Sequence, residues 1–269
     1  MYYYDKEYNN ETLGLWVAYE DSDIIDILSD YRKSLFGVLD YIKGNHETDL
    51  FDTSESVKEY RRDILVGLIA RSMFDNPEEV DDEKVKDFLD IIEYEFKDLL
   101  TAPASTRFHG CWEGGLLDHC FAVFESALKS KKAYYDDERV PKKLYPMFFL
   151  LHDACKFNCY TVEKKNVKNV DTGKWETKDA YTTRRDYISS FHGSESVDRI
   201  YQLILKYKND LDWLEYSFTP NWRLAITYHM GMYNMCDAEM NNYGNAKHTY
   251  PEVLLMHHAD MIASQIFDL

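Results

Sequence analysis

Four large apolar residues, Phe148, Phe149, Leu150 and Leu151, run directly into His152 and Asp153, and Lys156 follows one turn later. Pro146 upstream suits the first turn of a helix, where its missing N–H has no partner to lose. The run is about one buried helical segment long, far too short to span a membrane. The expectation is a helix that carries His152 and Asp153 into the interior. An isolated buried carboxylate costs several kcal/mol, so Asp153 needs a partner. A divalent metal is one such partner, and the rest of the chain can be searched for the other ligands.

With 269 residues the chain can form one large domain or two small ones. Its 22 Tyr and 14 Phe supply a sizeable core, and the scarcity of Gly (11) and Pro (6) favours helices over a loop-rich or all-β fold. The expected class is mainly α, a helical bundle with one small β-hairpin insertion. The N-terminal stretch lacks the basic flank and apolar centre of a signal peptide, and no apolar run is long enough for a membrane span. Five cysteines, Cys111, Cys120, Cys155, Cys159 and Cys236, fit a reduced, cytoplasmic setting. Cys155 and Cys159 have no second pair, so buried free thiols are the simpler reading than a structural zinc site.

The formal charge of −17 is unevenly placed. Residues 1–100 carry 26 acidic and 11 basic side chains, and residues 101–269 carry 22 and 20. The first part reads as an acidic helical region, 1–104, and the second, 105–269, as the region that bears the candidate ligands. Such a balance disfavours long nucleic acid but leaves room for a nucleotide at the near-neutral end. The acidic region reads as solvated surface, with a docking face for a protein partner or a second copy of the chain as the functional alternative.

Helices are expected over about Ser22–Lys43, Glu55–Phe74 and Asp81–Leu100. Gly114 and Gly115 end a loop and feed a helix to about Lys129, with His119 among Leu116, Leu117, Cys120 and Phe121. Residues 129–143 read as an exposed polar connector. Residues Cys159–Val162 and Lys178–Thr183 flank Asp171-Thr172-Gly173, which predicts a β-hairpin with a basic excess. That hairpin is either solvated or leans over a phosphate-bearing ligand. Ser194 is the expected N-cap of a helix to about Tyr207, placing His192 at a helix entrance that favours anions. An apolar helix over Asn221–Met230 contains His229. Residues 232–248 read as a long polar loop, and Pro251 opens a last helix bearing Asp260.

The candidate ligands are therefore His119, His152, Asp153, His192, His229 and Asp260. Their successive gaps of 33, 39, 37 and 31 residues, with His152-Asp153 as one step, place one ligand group on each helix or helix entrance. Imidazole with carboxylate and no thiolate suits Mn, Fe, Ni, Co or Zn. The set exceeds what one ion needs. Two ions about 3.5–4 Å apart, bridged by Asp153, could serve a phosphoryl reaction. His109 and Ser264 are weaker candidates for groups that support the ligands. His46 and His248 read as surface residues, and neither His257 nor His258 is expected to be a ligand.

The pattern His119 … His152-Asp153 … Asp260 resembles the HD-domain metal-dependent phosphohydrolases. Gly114-Gly115-Leu116 through His119 is similar to that family's G-G-L-x-x-H helix start, and Leu151 through Lys156 to L-H-D-x-x-K. His192 with Gly193, Glu195 and Ser196 resembles G-H-G-E-x-S, His229-Met230-Gly231 resembles H-x-G, and His257 through Ser264 resembles L-H-x-A-D-x-x-A-S. The likeness covers about residues 105–266 and is greatest to small HD hydrolases of Gram-positive bacteria and their phages. Phe191 departs from the usual glycine before the histidine, and Tyr228 from the histidine or tryptophan common before His229.

The resemblance implies that His119, His152, Asp153 and Asp260 hold one divalent ion (Mn, Fe, Ni, Co, Zn or Mg). It implies that His192 and His229 hold a second, with Asp153 bridging. Asp153 and Lys156 would be catalytic, and Lys156, His192 and His229 would contact substrate. The implied activity is hydrolysis of a phosphate ester of a nucleotide or related small molecule by metal-activated water. A 3′–5′ exonuclease on short oligonucleotides and a non-catalytic metal- or nucleotide-binding regulator are the alternatives.

Overall fold

The computed structural model describes residues 8–44, 55–134, 141–168, 172–188, 191–232, 235–267 and 269. His46, Arg139 of the polar connector and Asp171 of the hairpin turn lie outside them. Among the described residues the chain is mainly helical, with one two-stranded antiparallel sheet.

The acidic part supplies α1 (Asn10–Ala18), α2 (Asp21–Gly44), α3 (Glu55–Met73) and α4 (Asp82–Glu95). The Asn9 side chain caps α1 by accepting from the Thr12 N–H. Asp81 caps α4 in the same way. This helix stops at Glu95, short of the expected Leu100, because Asn158 captures its end. The Asn158 side chain donates to the Glu95 carbonyl at 2.8 Å and accepts from the Lys97 N–H at 3.1 Å.

The central helix is α5 (Gly115–Ala133), buried on nearly every side. It runs past the expected end at Lys129. Lys131, expected to be exposed, is buried, with its ammonium 2.8 Å from Asp21 and donating to the Lys142 carbonyl at 2.5 Å. Next comes α6 (Pro146–Leu150), followed by a 3₁₀ turn over Ala154–Lys156. The expected helix through His152 and Asp153 is thus cut short. A continuing helix would give the Phe149 carbonyl to the Asp153 N–H. Here the His152 ring takes that carbonyl instead, at 2.6 Å from Nδ1.

The hairpin pairs β1 (Tyr160–Lys168) with β2 (Trp175–Thr183), from Tyr160 opposite Thr183 to Lys168 opposite Trp175. Five helices complete the chain: α7 (His192–Lys206), α8 (Asp212–Ser217), α9 (Pro220–Thr227), α10 (Asp237–Thr249) and α11 (Pro251–Gln265). The N-cap of α7 is Phe191, not Ser194, so His192 is the first helical residue. Most of the expected polar loop over 232–248 is α10. A reciprocal cap starts it, with the Glu239 carboxylate accepting from the Cys236 N–H at 3.0 Å.

One hydrophobic cluster joins both halves of the chain: Leu28, Leu35, Ile64 and Leu68 belong to it with Phe121, Phe124 and Phe148. Helix α5 packs against α2, α6 and α11, while α9 packs against α7 and α11. All five cysteines are free thiols, three of them buried. No helix among the described residues is long and apolar enough to cross a membrane.

Candidate metal centre

Five elements deliver six polar groups to the same interior point. His119 lies one turn into α5, His152 and Asp153 follow α6, His192 opens α7, His229 follows α9 and Asp260 lies in α11. His119, His152, Asp153, His229 and Asp260 are buried, and His192 is about a third exposed. Gly193 allows the close approach of α7 to the end of α9. A Cβ at that position would lie 2.3 Å from the Thr227 carbonyl oxygen and 2.5 Å from that of Ile226. The contact holds His192 and His229 together, with ring centroids 5.3 Å apart.

Three imidazoles are oriented by the same device. Nδ1 lies 2.6 Å from the Leu269 main-chain oxygen in His119, 2.6 Å from the Phe149 carbonyl in His152 and 2.7 Å from the Ile226 carbonyl in His229. A carbonyl only accepts, so each Nδ1 carries a proton, and in the neutral ring each Nε2 presents a lone pair. All three Nε2 atoms are buried and without a hydrogen-bond partner. They face carboxylates rather than donors. His119 Nε2 is 3.1 Å from Asp260 Oδ1 and 3.7 Å from Asp153 Oδ2. His152 Nε2 is 3.5 Å from Asp153 Oδ2 and 3.9 Å from Asp260 Oδ1, and His229 Nε2 is 3.4 Å from Asp153 Oδ1.

Lone pairs turned towards carboxylate oxygens in a buried site repel unless a cation lies between them. Hydrogen-bonding the far ring nitrogen to a main-chain oxygen is also how proteins orient imidazoles that ligate metals. The donor set therefore fits a metal ion. Among the described residues, two groups of ligand atoms have the required spacing: His119, His152 and Asp153, and Asp153, His192 and His229. Asp260 borders the first group through His119. The groups differ in one respect: His192 Nε2 already hydrogen-bonds Asp153 Oδ1, at 2.6 Å.

The charge states follow from these neighbours. Burial pushes His152 down to about 3, against the pull of Asp153, so its ring is neutral. Burial would raise Asp153, but the Lys156 ammonium at 2.8 Å and the hydrogen bond from His192 hold it well below the usual carboxylate range. Asp260 is displaced in the same downward direction, against its burial. Burial lowers His229, yet Asp153 outweighs it and the net direction is upward. Burial next to His119 depresses His109 to about 4, and its ring centroid is 5.2 Å from that of His119.

Lys156 is also at the centre, with Nζ 2.8 Å from Asp153 Oδ2. Ser264 differs from its expected role: its hydroxyl donates to the main-chain carbonyl of Asp260, not to the carboxylate. His257 supports the site indirectly, donating from Nδ1 to the His229 carbonyl at 2.7 Å. Ser196 holds the turn after Asp153 by accepting from the Cys155 N–H at 3.1 Å. The hairpin cations are partly neutralised in place. Lys164 pairs with Asp179 at 3.3 Å, Lys165 donates to the Tyr181 carbonyl and Arg184 pairs with Asp186 at 2.7 Å.

Four supporting residues escaped sequence reasoning. Asp118, next to His119, is buried and accepts from Arg61 of α3, Tyr31 of α2 and Trp112. Asp118 offered a signal, since it too is a carboxylate within an apolar helix. Arg61, Tyr31 and Trp112 offered none.

No family model matches the chain, and no curated protein or solved structure matches it either.

Proposed function

We propose that this chain is a metal-dependent phosphohydrolase of the HD type, acting on a phosphate ester of a nucleotide or related small molecule. The carrying observation is the convergence of three unpartnered, buried imidazole nitrogens on Asp153 and Asp260. His119, His152, Asp153 and Asp260 would hold one ion, and His192 and His229 would share Asp153 around a second. When bound, a divalent ion supplies a water that ionises near neutral pH and a positive charge for phosphoryl oxygens. The imidazole and carboxylate donors favour Mn, Fe, Ni, Co or Zn.

The chain's own residues contribute orientation and charge. Asp153 touches both ligand groups and is kept ionised by its neighbours. Lys156 brings a permanent positive charge beside it and would stabilise the negative charge that builds on the phosphoryl group. His192, the most exposed of the ligand candidates, is the group best placed to meet a substrate. A small substrate is favoured over an oligonucleotide because Lys164 and Arg184 are already paired with neighbouring acids.

The test is metal analysis of the purified protein with a phosphate-release screen over mono-, tri- and cyclic nucleotides, using Asp153→Ala as the control. The expected result is bound ion and release in the parent and neither in the variant. A variant that keeps its ion and its activity sinks the assignment.

A further inference from the structure

The rings of His119, His152, His192, His229 and His257 each have a hydrogen-bond partner. The ring of His109 has none among the described residues, although its centroid lies 5.2 Å from that of His119. We propose that His109 binds the phosphoryl group of the substrate, donating a ring N–H to one of its oxygens. This assignment rests on the phosphohydrolase reading of the centre.

The surroundings of the ring leave it no supporting duty. His119 Nδ1 is already taken by the Leu269 main-chain oxygen at 2.6 Å, so His109 does not orient it. His109 also stands outside both groups of ligand atoms. It is only half-buried, so it meets the centre on one side and solvent, from which a substrate arrives, on the other. An imidazole always offers at least one N–H donor. The anionic oxygens of a phosphoryl group accept such a donor in a charge-assisted bond. Lys156 is engaged with Asp153 at 2.8 Å, whereas His109 breaks no bond within the protein to take an oxygen.

The main chain fixes His109 from both sides. The Ser105 hydroxyl accepts from the Phe108 N–H at 2.8 Å and donates to the His109 carbonyl at 2.8 Å. The Ala104 N–H donates to the Gly110 carbonyl at 2.9 Å. Gly110 makes this close turn possible: its φ is +59°, and a Cβ there would lie 2.5 Å from that of Ala104. Two further bonds fasten the loop to the start of α5, from the Gly114 N–H to the Thr101 carbonyl at 3.1 Å and from the Leu116 N–H to the Ala102 carbonyl at 2.9 Å. A ring carried on backbone fixed beforehand loses little entropy when it binds.

The full-length protein is loaded with Mn²⁺, its metal content is measured, and inorganic phosphate is titrated in by calorimetry. The expected result is saturable phosphate binding in the parent. His109→Ala should keep the parent's Mn²⁺ content and bind phosphate about tenfold more weakly, the loss of one hydrogen bond to a charged group. His109→Gln, which keeps a side-chain N–H, should recover part of that affinity. Unchanged phosphate affinity in His109→Ala, with a parent that binds phosphate, would overturn this proposal and leave the phosphohydrolase reading standing. Loss of Mn²⁺ in His109→Ala would overturn it by making the ring a support of the ligands. Phosphate binding no tighter in His109→Gln than in His109→Ala would overturn it by showing that no donor is involved. A parent that takes up no Mn²⁺ or no phosphate would overturn both.

Discussion

Arg61 grips Asp118 at two points, Nε to Oδ1 at 2.8 Å and Nη2 to Oδ2 at 2.9 Å, with both side chains essentially excluded from solvent. The pair ties α3 to α5 at the residue before His119, so the acidic half of the chain bears on the centre. Burial lowers the affinity of the guanidinium for its proton, and Asp118 more than restores it. Breaking such a pair from one side leaves an uncompensated buried charge. Arg61→Met should therefore cost about 3–5 kcal/mol in urea unfolding. Lys58→Ala, at the partly exposed pair with Glu113 at 3.2 Å, should cost about 0–1 kcal/mol.

Metal stoichiometry should separate the two ligand groups. His119→Ala removes the ring that lies 3.1 Å from Asp260 and one of the three members of the first ligand group, and the protein should then purify with little bound ion. His192→Ala removes a ring that is a third exposed and already hydrogen-bonded to Asp153. It should lose at most one ion of two. Equal losses in both variants would show that the centre behaves as one indivisible group.

Gly193→Ala tests how the centre is assembled without touching a ligand. The added methyl would meet the main-chain oxygens of Ile226 and Thr227, which cannot turn aside as a flexible side chain would. Helix α7 must move away from α9, at a cost of about 1–3 kcal/mol. His192 should separate from His229, and phosphate release should fall far more than thermal stability does. Activity matching that of the parent would mean that the spacing of the two rings is unimportant.

Acid sensitivity should have a component far from the histidines. Glu125 of α5 is buried and binds Arg32 at 3.0 Å, Lys129 at 2.5 Å and Ser29 at 2.5 Å. Burial alone would raise its pKa, but Arg32, Lys129 and Ser29 hold it below its ordinary value. A carboxylate lowered in the folded state stabilises the protein above its unfolded pKa. That stabilisation is lost as pH falls through the folded value. Glu125→Gln should be less stable at pH 7 and should show a shallower loss of stability below about pH 4.5 in chemical denaturation.

The candidate ligands His119, His152, Asp153 and Asp260 were legible because each is a polar residue in an apolar context, whereas His192 was read from its place at a helix entrance. His119 stands among Leu116, Leu117 and Phe121, and Asp260 among Ala259, Met261 and Ile262. The same logic applied to Asp118 and Glu125 would have asked for partners there as well. It could not have named them, since Arg61 and Arg32 lie 57 and 93 residues away. The early end of α6 was hidden for a different reason. It depends on an imidazole taking a main-chain carbonyl, which no periodicity records. Helix α10 was hidden by its Asn-rich composition, although Glu239 three residues after Cys236 carried a capping signal.

The main-chain oxygens that orient the three imidazoles also set an order of assembly. His152 and His229 are each held by a carbonyl three residues back, so their tautomers are decided locally, as soon as each turn forms. His119 is held by a residue 150 positions downstream, and its nearest carboxylate belongs to α11. A chain emerging in sequence can therefore make two of the three rings ready early, but not the third. Until α11 lies against α5, the His119 ring is free to turn, and the centre lacks both a fixed nitrogen and Asp260. The affinity of the proposed centre for an ion would thus arise late, and a partly made molecule would be a poor trap for whatever metal is most abundant around it.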